Sequence, residues 1–194
     1  LFYDIHPNHN SFVVQWLYVL DSKRKPITKN KRIPGDIPYY GASGVVDYIK
    51  DYIFDEELLL VSEDGANLLA RKYPIAFSVS GKSWVNNHAH VLRFDSRTTQ
   101  YFVEYYLNSI SLENYISGMA QPKLNQKKLN SLPIPLPSIK KQEDIVNFLD
   151  KSLELINDAK VNIEKNISNS EELFQSELNQ IFNNESEVWE NKYL

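Results

Sequence analysis

Cysteine is absent, which removes disulfides, thiolate zinc sites and thiol nucleophiles together and leaves the cytoplasm as the default compartment. No run of about 18 apolar residues occurs, so a membrane-spanning helix is excluded, and no charged start followed by an apolar core suggests export. Gly-x-Ser-x-Gly, the P-loop, Gly-x-Gly-x-x-Gly and His-Glu-x-x-His are all missing, so nothing demands an enzyme or a cofactor. Glycine is scarce, 6 in 194 residues. One stretch of 44 residues, Ile139 to Phe182, holds neither glycine nor proline.

What remains is the material of a folded body. Apolar residues make up 42% and charged residues 24%, which excludes a disordered tail and leaves one main core as the expectation. The net charge of −4 hides an asymmetry: residues 1–139 carry 15 Lys and Arg against 13 Asp and Glu, residues 140–194 carry 6 against 12. A weakly positive body can hold a cationic face for nucleic acid, whereas an acidic tail suits protein contact. The first residue is Leu1 rather than Met, as expected of a fragment or a trimmed product.

From Phe12 to Phe94 short apolar runs alternate with turn residues: "FVVQWLYV", "IPYYG", "VVDYIKDYIF", "LLLVS", "YPIAFSV", "HAHVLRF". Runs of this length, rich in Val, Ile, Tyr and Phe, predict a β-rich region. Within it Asp64-Gly65 has the composition of a type I′ hairpin turn, which needs φ > 0 at both central positions. The period then changes. In "SRTTQYFVEYYLNSI" Phe102, Tyr106 and Ile110 stand four apart behind Ser96, an N-cap residue, and predict a helix of about three turns. Gly118 and prolines 122, 133, 135 and 137 forbid a long element next and suggest a hinge. Pro137-Ser138 then opens the stretch without breakers. As one helix it runs about 66 Å at about 1.5 Å per residue, more than a small domain can enclose. A heptad register passes through Leu153, Ile156, Lys160, Ile163, Ile167, Ser170 and Phe174, giving a coiled-coil seam with two polar positions. The fold class expected is therefore α+β: a small β-rich α/β body over residues 1–138, a long coiled-coil-forming helix over 139–182, and a tail or the start of a second repeat over 183–194.

The densest cationic segment holds Lys23, Arg24, Lys25, Lys29, Lys31 and Arg32 against only Asp21 and Asp36. Such a run is usually a solvated loop, but its neighbourhood is suggestive. Tyr39, Tyr40, Ser43, Trp84, Asn86, Asn87 and His88 supply the planar or bidentate polar groups that read base edges, while Lys and Arg supply salt-dependent phosphate contacts. Arg71, Lys72 and Lys82, in or near turns, extend this face if the sheet brings them round. His6 and His9, and His88 and His90, lack a third ligand at sensible spacing, so no metal site is expected. The acidic cluster Asp55-Glu56-Glu57 and the pair Glu63-Asp64 read as solvated loop and turn.

These pieces, in order, resemble the specificity subunits of type I restriction-modification systems. "KRKPITKNKRIPGDIPYYGASGVVDYI" and "LLLVSEDGANL" look like the first part of a target recognition domain; "NNHAHVLR", "GMAQPKLNQKKLNSLPIPLP" and "KKQEDIVNFLD" resemble its later part and its join to the family's long helix. The likeness runs from Trp16 to Phe182. It implies a non-catalytic subunit that reads one half of a bipartite sequence in double-stranded DNA and, through its helix, frames the modification (methyltransferase) subunits, with the restriction or motor subunit joining through the complex. Carried over by position, Lys23, Arg24, Lys25, Lys29, Lys31 and Arg32 are expected on phosphates, with Tyr39, Tyr40, Ser43, Trp84, Asn86 and Asn87 near bases. Leu153, Ile156, Ile163, Ile167 and Phe174 are expected at a dimer seam. A helix of about 66 Å compares with two turns of B-DNA at about 34 Å each, so it can set the gap between half-sites.

The chain departs from the family in holding one recognition domain and one helix rather than two of each. The closing "EVWENKYL" resembles the start of a further recognition domain, with Trp189 echoing Trp16. A longer subunit with an intramolecular second repeat and a half-subunit that forms a homodimer on a palindromic site are both open. So are the C-terminal recognition domain of a single-chain restriction and methylation enzyme, and a coiled-coil protein whose body binds protein and not DNA.

Overall fold

The computed structural model describes residues 18–118 and 120–183. The first part of the "FVVQWLYV" run, His6, His9, Trp16, Trp189 and the closing repeat lie outside the described residues, as does most of the tail. The chain divides into two units, Leu1–Val146 and Asn147–Leu194.

The β-rich reading is realised in two four-stranded sheets. The strands are β1 (Tyr18–Val19), β2 (Pro34–Gly41), β3 (Gly44–Ile49), β4 (Phe54–Asp55), β5 (Leu58–Ser62), β6 (Ala76–Val79), β7 (Lys82–Val85) and β8 (Ala89–Arg93). The first sheet runs β1-β8-β5-β6, antiparallel throughout; the second runs β3-β2-β7-β4, with β2 and β7 parallel. β5 is the run "LLLVS", buried at every position because a central strand covered on both faces needs no polar side. Its Leu58 and Leu60 join Val79 and Val91 of the first sheet to Phe54 and Val85 of the second in one apolar cluster. On the helical side, α2 (Arg97–Ser109) packs on β5 and β6 and buries Phe102, Val103 and Leu107. Ser96 caps it, accepting from the Thr99 N–H at 3.3 Å.

Two expectations change. Asp64-Gly65 does not turn a hairpin: β5 ends at Ser62, and a short helix, α1 (Asn67–Ala70), intervenes before β6. Gly65 does take a positive φ of 108° and β5 does pair antiparallel with β6, so the dipeptide marked the conformation and the pairing but not the length of the connection. The segment read as a hinge is packed down. Leu124, Leu129, Leu132 and Ile134 are fully buried around a single turn, α3 (Gln126–Leu129), whose cap Asn125 accepts from the Lys128 N–H. Proline there prevents regular structure without conferring freedom.

α4 spans Ile139–Phe182 as expected. Its first turns carry Gln142, Ile145 and Val146, buried within the first unit. Beyond Val146 no described residue of α4 is buried, and Leu153, Ile156, Ile163, Ile167 and Phe174 all lie exposed. Among the described residues no helix is long and apolar enough to cross a membrane.

Candidate nucleic-acid interface

The cationic segment leaves β1 and reaches β2 through two 3-10 turns, Asp21–Lys23 and Lys29–Lys31. Its path is fixed by four anchors. Arg24 donates to the Glu63 carboxylate at 2.6 Å and to the Ala89 carbonyl at 2.7 Å, and pairs with Asp21 at 3.2 Å. The Lys25 N–H donates to the Val85 carbonyl, and the Lys25 carbonyl accepts from the Trp84 indole at 2.6 Å. The Ile27 N–H donates to the Tyr39 hydroxyl at 2.9 Å. Arg32 donates to the Ile27 carbonyl and to Asp47 at 2.9 Å, and its guanidinium lies 4.4 Å over the Tyr39 ring.

Those anchors separate residues that the sequence put in one class. Arg24 and Arg32, expected on phosphates, spend their guanidinium groups within the fold, and Tyr39, expected near bases, is buried with its hydroxyl engaged; all three hold the loop. Lys23, Lys25, Lys29 and Lys31 are exposed and have no carboxylate within ion-pair distance among the described residues. A loop whose backbone is already fixed offers these ammonium groups without the ordering cost a free loop would carry.

The proposed base readers also divide. Asn86 is buried; its N–H donates to the Tyr40 carbonyl and its side-chain oxygen accepts from the His88 N–H. Trp84 is held to Lys25. Tyr40 packs on Phe77, and burial, then the neighbouring Tyr48 phenol, pushes its own phenol up. Ser43, at the tip between β2 and β3, and Asn87, in the turn before β8, are exposed. Arg71 does not join this face: at φ 50° it donates to the Leu107 and Ile110 carbonyls at the end of α2. Lys72 is exposed beside it, and Lys82 lies 4.8 Å over the Tyr52 ring.

Sequence reasoning overlooked the network beneath the loop. His90 meets Asp21 through Nδ1 at 2.6 Å and donates through Nε2 to the Leu124 carbonyl at 2.7 Å. Lys123 pairs with Glu63 at 3.1 Å. Burial pushes Asp21 and Glu63 up, but hydrogen bonds and charges from His90, Arg24 and Lys123, with the Val91 N–H on Asp21, bring both below their ordinary values. Asp21, Glu63 and His90 offer ligand atoms within 4.8 Å of one another, yet Arg24 and Lys123 already lie on these carboxylates and supply positive charge there. His88 turns to Asp64 instead, at 2.9 Å, so the two histidines do not share a partner.

Comparison with known proteins gives a consistent picture. The family model described as "Type I restriction modification DNA specificity domain" matches residues 17–170. A Haemophilus influenzae protein named "Putative type I restriction enzyme specificity subunit" is 36% identical over 132 residues, covering 68% of this chain and 34% of that protein. The type I restriction enzyme EcoprrI specificity subunit of Escherichia coli is 31% identical over 117 residues, 59% of this chain and 27% of its own length. The chain thus spans about a third or less of these relatives. Among solved structures, the S subunit of a type I restriction-modification system from M. genitalium aligns with a TM-score of 0.56 at 16% identity, over 73% of this chain and 39% of that one. A second, from work on complex assembly and conformational transition of the type I system, aligns with a TM-score of 0.62 at 19% identity, over 82% and 42%.

Proposed function

Because the chain belongs to the type I restriction modification DNA specificity domain family, we propose that it is the sequence-reading part of a type I restriction-modification complex. It takes one half of a bipartite target in double-stranded DNA and frames the methyltransferase subunits, which carry the chemistry. The chain itself is a non-catalytic reader. The observation that carries this reading is the clamped loop, which leaves Lys23, Lys25, Lys29 and Lys31 exposed with no carboxylate within ion-pair distance among the described residues.

Phosphates are held by these four lysines, at a cost in affinity as salt rises. Arg24, Arg32 and Tyr39 position the loop from behind, and Asn86 and Trp84 hold the adjoining turn. Ser43 and Asn87 are the polar side chains from the initial set that remain free to reach base edges. The stripe Leu153, Ile156, Ile163, Ile167 and Phe174 pairs the long helix with a second one, either in a homodimer or in a further repeat of a longer chain.

Binding of a fluorescent duplex by the chain together with its modification subunit, titrated at several salt concentrations, tests the reading. Duplex binding that weakens linearly in log-log form as salt rises supports it. Absence of duplex binding at low salt contradicts it and favours a protein-binding body.

A further inference from the structure

The inference that follows rests on the duplex-reading role. β3 is an outer strand of its sheet, and among the described residues no strand pairs with its free edge. Its register with β2 slips: Tyr39 stands opposite Asp47 and Tyr40 opposite Val45, so Val46 is the extra residue of a bulge. Regular alternation would send one of two adjacent valines inward. The bulge leaves both outside, Val45 at 44% and Val46 at 55% exposure, with Tyr48 at 56%.

The β2–β3 hairpin is the outer half of the four-stranded sheet, since β2 also pairs with β7 at Tyr39 and Tyr40, and it is held at its tip. Gly41 pairs with Gly44 across the two-residue turn Ala42-Ser43, where Gly44 takes a φ of 118°. Ser62 ties the turn to β5 by donating to the Ala42 carbonyl. Along the ribbon, the Arg32–Asp47 pair and the Lys50 N–H on the Ile33 carbonyl, both at 2.9 Å, bind β3 to the turn that carries Lys29 and Lys31. An exposed apolar edge flanked by lysines that have no carboxylate within ion-pair distance among the described residues fits a polyanion whose groove presents methyl groups. Duplex DNA does this: its major groove is about 12 Å wide, is entered by strands of β-sheet readers and displays the C5 methyl of thymine.

We infer that the free β3 edge of this sheet enters the major groove, that Val45 and Val46 read thymine methyl groups there, and that Lys29 and Lys31 hold the adjoining phosphates. The bulge is the device that makes the reading possible, because it presents two neighbouring branched side chains on a strand that would otherwise offer one.

The test uses the chain with its modification subunit and the duplex word it selects. Each thymine is replaced in turn by deoxyuridine, and binding is compared between the unaltered chain and Val45→Ser/Val46→Ser, which removes both methyls of each side chain. The expected result is one or two thymines whose methyl loss weakens the unaltered complex about four-fold each. That penalty disappears in the variant, while thermal midpoint and salt slope stay the same. Equal penalties in both proteins, or a selected word without thymine, overturn the inference. A variant that keeps the word but loses the modification subunit also overturns it and makes the ribbon a protein interface. Failure of the unaltered complex to select any word overturns the duplex-reading role itself, and this inference with it.

Discussion

Arg24 sits in the most cationic stretch of the chain, yet its guanidinium meets the Glu63 carboxylate at 2.6 Å with the two side chains only 14% and 12% exposed. The same group reaches Asp21 and the Ala89 carbonyl, so one residue joins the start of the basic loop to β8 and to the end of β5. Arg24→Met leaves two carboxylates short of their partner. Lys123 stays on Glu63 and His90 on Asp21, so the expected cost is about 1.5–3 kcal/mol of folding stability, the range for a hydrogen bond to a charged group. Urea unfolding of the variant measures it, and a loss below about 1 kcal/mol would place the pair among ordinary surface salt bridges.

Acid should act on the same network. In the folded chain Asp21 and Glu63 titrate below their ordinary values of 3.8 and 4.5, so the unfolded state binds more protons at low pH. Their contribution to stability is whole above those ordinary values and is lost as pH falls through the lower folded-state values. Unfolding midpoints measured downward from neutral pH should therefore fall steeply at and below the ordinary carboxylate range. In Asp21→Asn/Glu63→Gln the dependence should flatten, and an equally steep fall there would assign the acid sensitivity to other groups.

The elements with a strong local signal were legible from the sequence. Ser96 and the four-residue spacing behind it marked α2, and the breaker-free stretch after Ser138 gave α4 to its last residue. β7 was missed because "KSWV" is short and mixed in character, and its burial is set by neighbours far along the chain. The site was legible as a segment but not residue by residue. Composition makes Arg24 and Lys25 equivalent cations; only the approach of Glu63, 39 positions away, turns one inward. His90 paired with Asp21 across 69 positions likewise has no local signal.

Lys29→Gln and Lys31→Gln separate phosphate contact from fold. Each should weaken binding to all duplexes alike and reduce the slope of log affinity against log salt by about 0.9, with thermal midpoint unchanged. Loss of affinity for one sequence alone would move these lysines from phosphates to bases.

Gly35 tests the ribbon's geometry. A Cβ there would stand 2.5 Å from the Lys50 Cα and 2.7 Å from the Ile49 carbonyl oxygen, so Gly35→Ala must push the start of β2 away from the end of β3. The expected penalty is about 1–3 kcal/mol, the range for overpacking, together with weaker duplex binding through displaced Lys29 and Lys31. Unaltered stability in thermal unfolding would show that the strand ends part without cost.

The long helix carries a separate prediction. Ile163 and Ile167 are 59% and 55% exposed, and Ile163→Asp/Ile167→Asp places charge on the proposed seam. Sedimentation should show loss of self-association with an unchanged circular-dichroism melt of the body. A chain that remains self-associated would locate its contact elsewhere.

Selection from a random duplex library by the chain with its modification subunit, at two salt concentrations, tests the central claim most directly. The account predicts enrichment of a short fixed word, alone or repeated across a constant gap, with the same word at both salts and lower recovery at the higher. Salt-sensitive recovery with no enriched word would contradict sequence reading and leave only a cationic surface.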